Sequence, residues 1–264
     1  MENGNNTEKT IALGWIDSGD IKSGFAAYIS QILLHRSNVV KNVIAASGPY
    51  LSNNRNRLVE SFLSTECEWL FTLDSDVLVS LESFDALVEA ADKDKYPIVG
   101  GKYFIPINGQ VRVAAMVKNE DNPMLGTWIE NLSTYIVDDL HSIGVGFAMI
   151  HRSVFEKIKD SEPNNPLPWF QDYWKNIYNE NNQDTGGWIS DDIHFFEKVN
   201  NLGINVALCL GATSTHVKDS LLNEESYLSF KKFKRYEDQS ITHGYGFAEN
   251  KRSIWRVFSK NSKA

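Results

Sequence analysis

Hydrophobic positions along the chain change period several times, and each change marks a strand or a helix. IALGWI (11–16) is a β-rich apolar run, and the segment after it sets Phe25, Ile29, Ile32 and Leu33 on one helical face. VVKNVIAAS (39–47) predicts a second strand. The turn-forming Gly48-Pro49-Tyr50 follows, then a helix with Asn53 or Asn54 as its cap and Leu58, Val59, Phe62 and Leu63 facing inward. WLFTLD (69–74) is nearly continuous apolar, as a strand buried on both faces should be. Ser80 opens another helix, with Leu81, Phe84, Val88 and Ala91 at helical spacing. Three β-α units in succession predict a parallel sheet covered on both faces.

After IVGGKYF (98–104) the pattern changes. VRVAAMV (111–117), LSTYIVDDL (132–140) and VGFAMIH (145–151) are strand-like and joined by loops, so the second half is expected to be mixed. Residues 160–190 combine Pro, Asn and Gly with Trp169, Phe170, Tyr173, Trp174 and Trp188. A loop this long is either functional or disordered, and its aromatic content favours function. A helix over Asp192–Leu202, with Phe195, Phe196 and Val199 buried, precedes a last strand, INVALCL (204–210).

Composition narrows the class. At 264 residues the chain suits one large domain, or one domain with a small appendage, and 42% hydrophobic with 12% aromatic residues rules out general disorder. A net charge of -8 argues against coating nucleic acid by bulk electrostatics. That charge is uneven: residues 231–264 carry a local +6, leaving the first 230 near -14, and Tyr236, Tyr245, Phe247, Trp255 and Phe258 are interleaved with the basic residues. The tail reads either as a solvated surface segment or as a phosphate-facing extension. Cys67 and Cys209 both lie in apolar segments and are expected to be buried thiols, with no disulfide framework or zinc site. The polar start and the lack of a long apolar run predict a soluble, cytoplasmic protein without a membrane span.

The densest chemical signal is Asp74-Ser75-Asp76, where the third strand gives way to a loop. Function in α/β sheets gathers at the carboxyl ends of strands, and two carboxylates one residue apart can hold a hard divalent cation that bridges to a diphosphate. Asp191-Asp192 is a second acidic pair at a helix N-terminus; capping explains one member, and the other is a candidate general base. His216 stands just past the predicted last strand, where it could complete a coordination set with Asp76.

Taken in order, RNRLVESFLSTECEWLFTLDSDVLV, VGGKYF, GVGFAMIHRSVFEKI, SDDIHFFEKVNNLGINVALCL and THV resemble a GT-A-fold nucleotide-sugar glycosyltransferase of the large family-two-like group, in its short cytosolic bacterial and phage versions. The resemblance spans about residues 10–218, which implies a GT-A domain over 1–218 and an extension over 219–264. It implies an α/β, Rossmann-like mixed sheet flanked by helices and the transfer of a hexose or pentose from a nucleotide-sugar, with a UDP-sugar as the expected donor and Mn2+ or Mg2+ as cofactor. It further implies that Asp74, Asp76 and His216 hold the metal and that Asp192, or alternatively Asp191, is the base. Asp191 departs from the Glu usual in the family. Trp15 and Asp17 would meet the nucleoside, or form only a strand-end turn. Arg55 and Asn56 resemble the family's donor-binding pair, and Gly144 and Gly146 either bring backbone close to the donor sugar or make a tight turn. If the chain is phage-encoded, it would act in the host cytoplasm.

Other classes compete. LDSDVLV also matches the haloacid-dehalogenase pattern, whose phosphoryl-accepting Asp normally ends the first strand of its domain, whereas two β-α units precede Asp74. A sugar-nucleotide pyrophosphorylase wants a Gly-rich, basic first loop that GWIDSGDIKSG supplies poorly, and a non-catalytic glycan-binding domain would leave the acidic positions without a purpose. The acceptor hydroxyl is expected on a glycan, a small molecule or a hydroxymethylated pyrimidine in DNA. In the last case Lys231, Lys232, Lys234 and Arg235 would track phosphates, and a flipped base would enter the loop around Trp169 and Trp174.

Overall fold

The computed structural model describes residues 9–107, 110–119, 126–130, 132–176, 187–218 and 221–228. In chain order the first half runs β1 (Ile11–Asp17), α1 (Ser23–His35), β2 (Val40–Ser47), α2 (Leu51–Leu63), β3 (Trp69–Asp74), β4 (Val77–Val79), α3 (Leu81–Ala90), β5 (Ile98–Lys102), β6 (Phe104–Ile107), β7 (Gln110–Val113) and β8 (Ala115–Val117). The second half adds β9 (Thr127–Trp128), β10 (Ile136–Val137), β11 (Leu140–Ile143), β12 (Phe147–His151), α4 (Arg152–Ser161), β13 (Tyr173–Lys175), β14 (Gly187–Ile189), α5 (Asp191–Asn201), β15 (Val206–Val217) and β16 (Leu221–Leu222).

The main sheet has the order β10-β15-β5-β12-β3-β1-β2, with β4 and β16 also paired to β15. Period-2 alternation gives each strand two apolar faces. In β3, Leu70 joins a core with Leu58, Val59 and Phe62 of α2, Phe155 of α4 and Phe195 of α5. Phe71 and Leu73 point the other way, into a core with Phe25 and Ile29 of α1 and Phe84 of α3. Helices therefore cover both faces, as expected, but the sheet is parallel only in part. β1 is parallel to β2 and β3, and β5 to β15, while β12 runs antiparallel between β3 and β5. No helical crossover separates β11 from β12, so this strand can enter in the opposite direction.

Several elements differ from expectation; LSTYIVDDL (132–140) is not one strand but holds only β10 and the start of β11. α2 begins at Leu51 with Tyr50 at its N-cap, so neither Asn53 nor Asn54 caps it. Asn54 lies inside the helix and donates to the carbonyls of Gly48 at 2.8 Å and Asp17 at 3.3 Å, tying together the ends of β1 and β2. α4 was not anticipated, because it follows β12 with no Gly or Pro between and is capped by His151 Nδ1, which accepts from Ser153 N–H at 3.3 Å. Its Arg152 donates to the carbonyls of Leu63 at 3.1 Å and Cys67 at 3.0 Å, closing the end of α2 where orphan carbonyls need a donor. β15 runs seven residues beyond the expected strand, so His216 lies within it, not past it.

Cys67 and Cys209 are buried free thiols. No helix among the described residues is long and apolar enough to cross a membrane. Met1–Tyr227 forms one unit and Leu228–Ala264 another. Tyr227 is buried and its ring meets Phe104 at 5.7 Å. The basic and aromatic residues expected to face phosphates, Lys231 through Phe258, lie outside the described residues.

Candidate active site

The parallel pairing of β1 with β3 sets Ile16 beside Asp74, so Asp17 and Asp74 emerge at the same edge of the sheet, where the strands end. A cleft of about 520 Å³ opens there. Asp17, Asn54, Arg55, Asp74, Asp76, Tyr103, Asp191, Asp192 and Lys218 are among the residues lining it. Asp17 is held by Trp15 Nε1, which donates to one carboxylate oxygen at 3.1 Å, and by Gly19 N–H on the other at 2.8 Å.

Arg55, from the second turn of α2, is the centre of the acidic cluster and only 4% exposed. Its Nη2 is 3.3 Å from Asp74 Oδ1, and its Nε is 3.0 Å from Asp191 Oδ2 and 3.4 Å from Asp192 Oδ1. Burial works against its charge, but Asp192, Asp74 and Asp191 together raise its pKa. The guanidinium is thus engaged by three carboxylates at the cleft wall.

The two acids at the start of α5 have different surroundings. Asp191 is 2% exposed, and its backbone N–H is capped by Asp172 Oδ1 at 3.1 Å. Burial raises its pKa against the pull of Arg55. Asp192 keeps 24% of its side chain exposed, yet its Oδ1 is sealed from solvent without a hydrogen-bond donor. Burial first, then Asp191 and Asp74, push its pKa up to about 7, and Arg55 opposes them. A carboxylate poised near neutrality in a cleft has the properties of a general base.

β15 accounts for the remaining cluster. It leaves β5 through an irregularity before Thr213 and pairs antiparallel with β4, placing His216 opposite Val77, next to Asp76. Val217 N–H donates to the Asp76 carbonyl at 2.8 Å. The Phe104 carbonyl, 2.8 Å from His216 Nδ1, can only accept, so Nδ1 carries a proton and Nε2 faces Asp76 Oδ2 at 3.2 Å. Tyr103 OH lies 3.1 Å from Asp74 Oδ2 and 3.4 Å from His216 Nε2, joining the two halves of the site. Burial, with Asp74 and Asp76 next, raises the phenol's pKa, so it remains a donor. Lys218 Nζ sits 2.6 Å from Asp76 Oδ2. Burial alone would raise the Asp76 pKa, but hydrogen bonds from His216 and Lys218 outweigh it and bring it down to about 2.

Among the described residues no three His, Cys, Asp or Glu side chains converge as a metal site. The expected set of Asp74, Asp76 and His216 is not assembled, because Asp74 is turned toward Arg55 and Tyr103. The pair Asp76–His216 does fit a hard divalent cation. Two cis ligands about 2.1 Å from an ion stand about 3 Å apart, close to the 3.2 Å between Asp76 Oδ2 and His216 Nε2. An ion with one or two protein ligands takes the rest from phosphate and water.

Several expected positions serve the site from behind. Asn56 is 1% exposed and clasps Phe170, donating to its carbonyl at 2.6 Å and accepting from its N–H at 3.2 Å, so it does not line the cleft. Gly146 lies beneath Asp74: a β-carbon there would come 2.2 Å from Asp74 Oδ2, and one at Gly144 would come 2.3 Å from Tyr103 Cδ1. These glycines make room for side chains of the site. Trp169 is 1% exposed and donates to Phe155 O at 2.8 Å. It is core, so its own ring is not available for stacking. Trp174 and Trp188 face each other across β13–β14, 54% and 72% exposed. Tyr103 lies within VGGKYF and Lys218 directly after THV, but neither was singled out from the sequence, and Asp172 appeared only as part of the aromatic loop.

No known protein family and no curated protein matches the sequence. Among solved structures, A197 from STIV is 16% identical over 82% of this chain and 92% of that one, with a TM-score of 0.54. GalNAc-T7, solved with UDP, GalNAc and Mn2+, is 12% identical over 92% of this chain and 53% of its own, at 0.48. A glycosyltransferase involved in the glycosylation of the major capsid of PBCV-1 is 14% identical over 61% and 69%, at 0.33. The likeness to A197 bears on fold alone; the other two carry no further argument. The architecture is the α/β GT-A fold, a mixed sheet flanked by helices.

Proposed function

We propose that this protein is a glycosyltransferase that moves a sugar from a nucleotide-sugar to an acceptor hydroxyl. The observation that carries the reading is Asp192: a partly exposed carboxylate, beside Arg55 and pushed by burial to a pKa near 7, in a cleft at the carboxyl edge of a GT-A sheet. In an inverting displacement Asp192 takes the proton from the acceptor hydroxyl as oxygen attacks the anomeric carbon and the nucleoside diphosphate leaves. Asp191 is bound to Arg55 and capped from behind, so it positions rather than reacts. Arg55 holds Asp74, Asp191 and Asp192 in one array. Asp17, fixed by Trp15 and Gly19, accepts from a nucleoside N–H or ribose hydroxyl. Mn2+ or Mg2+ held by Asp76 and His216 would neutralise the charge of the leaving diphosphate. A UDP-sugar is the proposed donor, and the exposed Trp174–Trp188 pair, leading through Ser190 into α5, is the proposed acceptor side.

The haloacid-dehalogenase reading loses support. It needs Asp74 as a free nucleophile, and Arg55 and Tyr103 engage both its oxygens. The test is a screen of nucleotide-sugars for hydrolysis with Mn2+, reading released nucleotide. Full activity in EDTA removes the metal from the proposal. Metal-free glycan binding without turnover makes the chain a binding module.

A further inference from the structure

The cleft carries a cation of its own. Lys218 lies along its wall with 45% of its side chain exposed, and its Nζ is 2.6 Å from Asp76 Oδ2, the same oxygen that His216 Nε2 faces at 3.2 Å. The backbone on either side is fixed by the pairing of His216 with Val77 and by Val217 N–H on the Asp76 carbonyl. Only the lysine side chain is free to change partners. A divalent ion about 2 Å from Asp76 Oδ2 would lie within a few ångströms of an ammonium on that oxygen, and the repulsion would be large where the cleft excludes water. The two cations therefore compete for Asp76 Oδ2, and each weakens the other's hold on it. A lysine is also a point-charge ligand for phosphate, on a stem of four carbons that reaches across the cleft.

We infer that Lys218 is an exchange residue of the donor site: it neutralises Asp76 while the cleft is empty and passes to the diphosphate when donor and divalent cation arrive together. This rests on the nucleotide-sugar reading above. A consequence is ordered binding. Metal alone must displace Lys218 and binds weakly, whereas metal with diphosphate offers the ammonium a new partner and binds tightly.

The test is calorimetry on the full chain at low, constant ionic strength, with Mn2+ alone and with inorganic pyrophosphate alone, on the native protein, Lys218→Met, Lys218→Arg and Asp76→Asn. Removing the competing charge should tighten Mn2+ binding on the order of tenfold in Lys218→Met and weaken metal-free pyrophosphate binding by about the same factor. Lys218→Arg should restore the pyrophosphate affinity. These opposite changes cannot come from a loss of folding, which would lower both affinities. Unchanged or weaker Mn2+ binding in Lys218→Met, or unchanged pyrophosphate binding, overturns the exchange. If Asp76→Asn binds Mn2+ as the native protein does, the cation-site reading falls and the exchange falls with it. If Asp76→Asn loses Mn2+ while Lys218→Met leaves it unaltered, only the exchange is lost.

Discussion

At the residue scale, the ionisation of Asp192 ties activity and stability to the same proton. Its folded pKa of about 7 lies above the ordinary carboxylate value, so the proposed base would become mostly ionised only as pH passes neutrality, and turnover should rise with pH through a limb near 7. The Asp192→Asn variant should lose that limb and about 10² to 10⁴ of turnover, with donor affinity nearly unchanged. Near-native turnover would transfer the role to Asp191. Stability moves the other way. With the folded pKa raised, the folded state binds more protons than the unfolded between pH 4 and 7, so stability falls as pH rises across that window and is flat above it. Removing the charge should stabilise Asp192→Asn relative to the native chain by about 1–3 kcal/mol more at pH 8 than at pH 5. Melting curves at both values check this. Tyr103 makes a related case. Tyr103→Phe strips Asp74 Oδ2 and His216 Nε2 of a shared buried hydroxyl, at a cost of about 1–3 kcal/mol. At about 2–4 °C per kcal/mol for a chain of this size, the melting temperature should fall several degrees. An unchanged melting temperature would show that the hydroxyl bridges nothing.

At the element scale, the site depends on one strand crossing between partners and on one glycine. β15 starts parallel to β5 and ends antiparallel to β4, and that change brings His216 to Asp76. Gly146 opens the room that Asp74 fills, so Gly146→Ala should displace the Asp74 carboxylate and cut turnover at least about tenfold, through misplacement at the reacting centre. A native rate in that variant would exclude Asp74 from the chemistry. The first three strands, α1, α3 and α5 were legible in the sequence because their apolar periods are long and bounded by turns or caps. The antiparallel sense of β12 was not, since a five-residue apolar run carries no direction. The far end of β15, GATSTHV, was hidden because polar residues alternate with small ones there, and its strand character comes from pairing with β4. The acidic positions of the site were legible as sequence pairs. Tyr103, though inside VGGKYF, and Lys218 were not, because the role of each comes from tertiary pairing that brings it to Asp74 or Asp76.

At the scale of the whole molecule, charge decides which acceptors are plausible. The first 230 residues carry about -14 and the last 34 about +6, so a polyanionic acceptor would be repelled by the unit that holds the cleft and attracted only by the tail. The core position of Trp169 takes its ring out of any stacking role, leaving Trp174 and Trp188 as exposed stacking surfaces on the ribbon before α5. A neutral acceptor suits that ribbon better than duplex DNA does, since stacking on an exposed indole needs no phosphate contact, whereas a duplex would bring its backbone charge toward Asp191, Asp192 and Asp74. Gel-shift binding of the full chain to duplex DNA over a salt series separates the two. If the tail engages several phosphates, affinity will be measurable at low salt and fall steeply as salt rises, with a log–log slope of about -0.9 per phosphate neutralised. Absence of binding at the lowest salt, where electrostatic attraction is least screened, would leave neutral glycans and small hydroxyl compounds as the acceptors, and Trp188→Ala should then raise the acceptor KM several-fold while sparing hydrolysis of the donor.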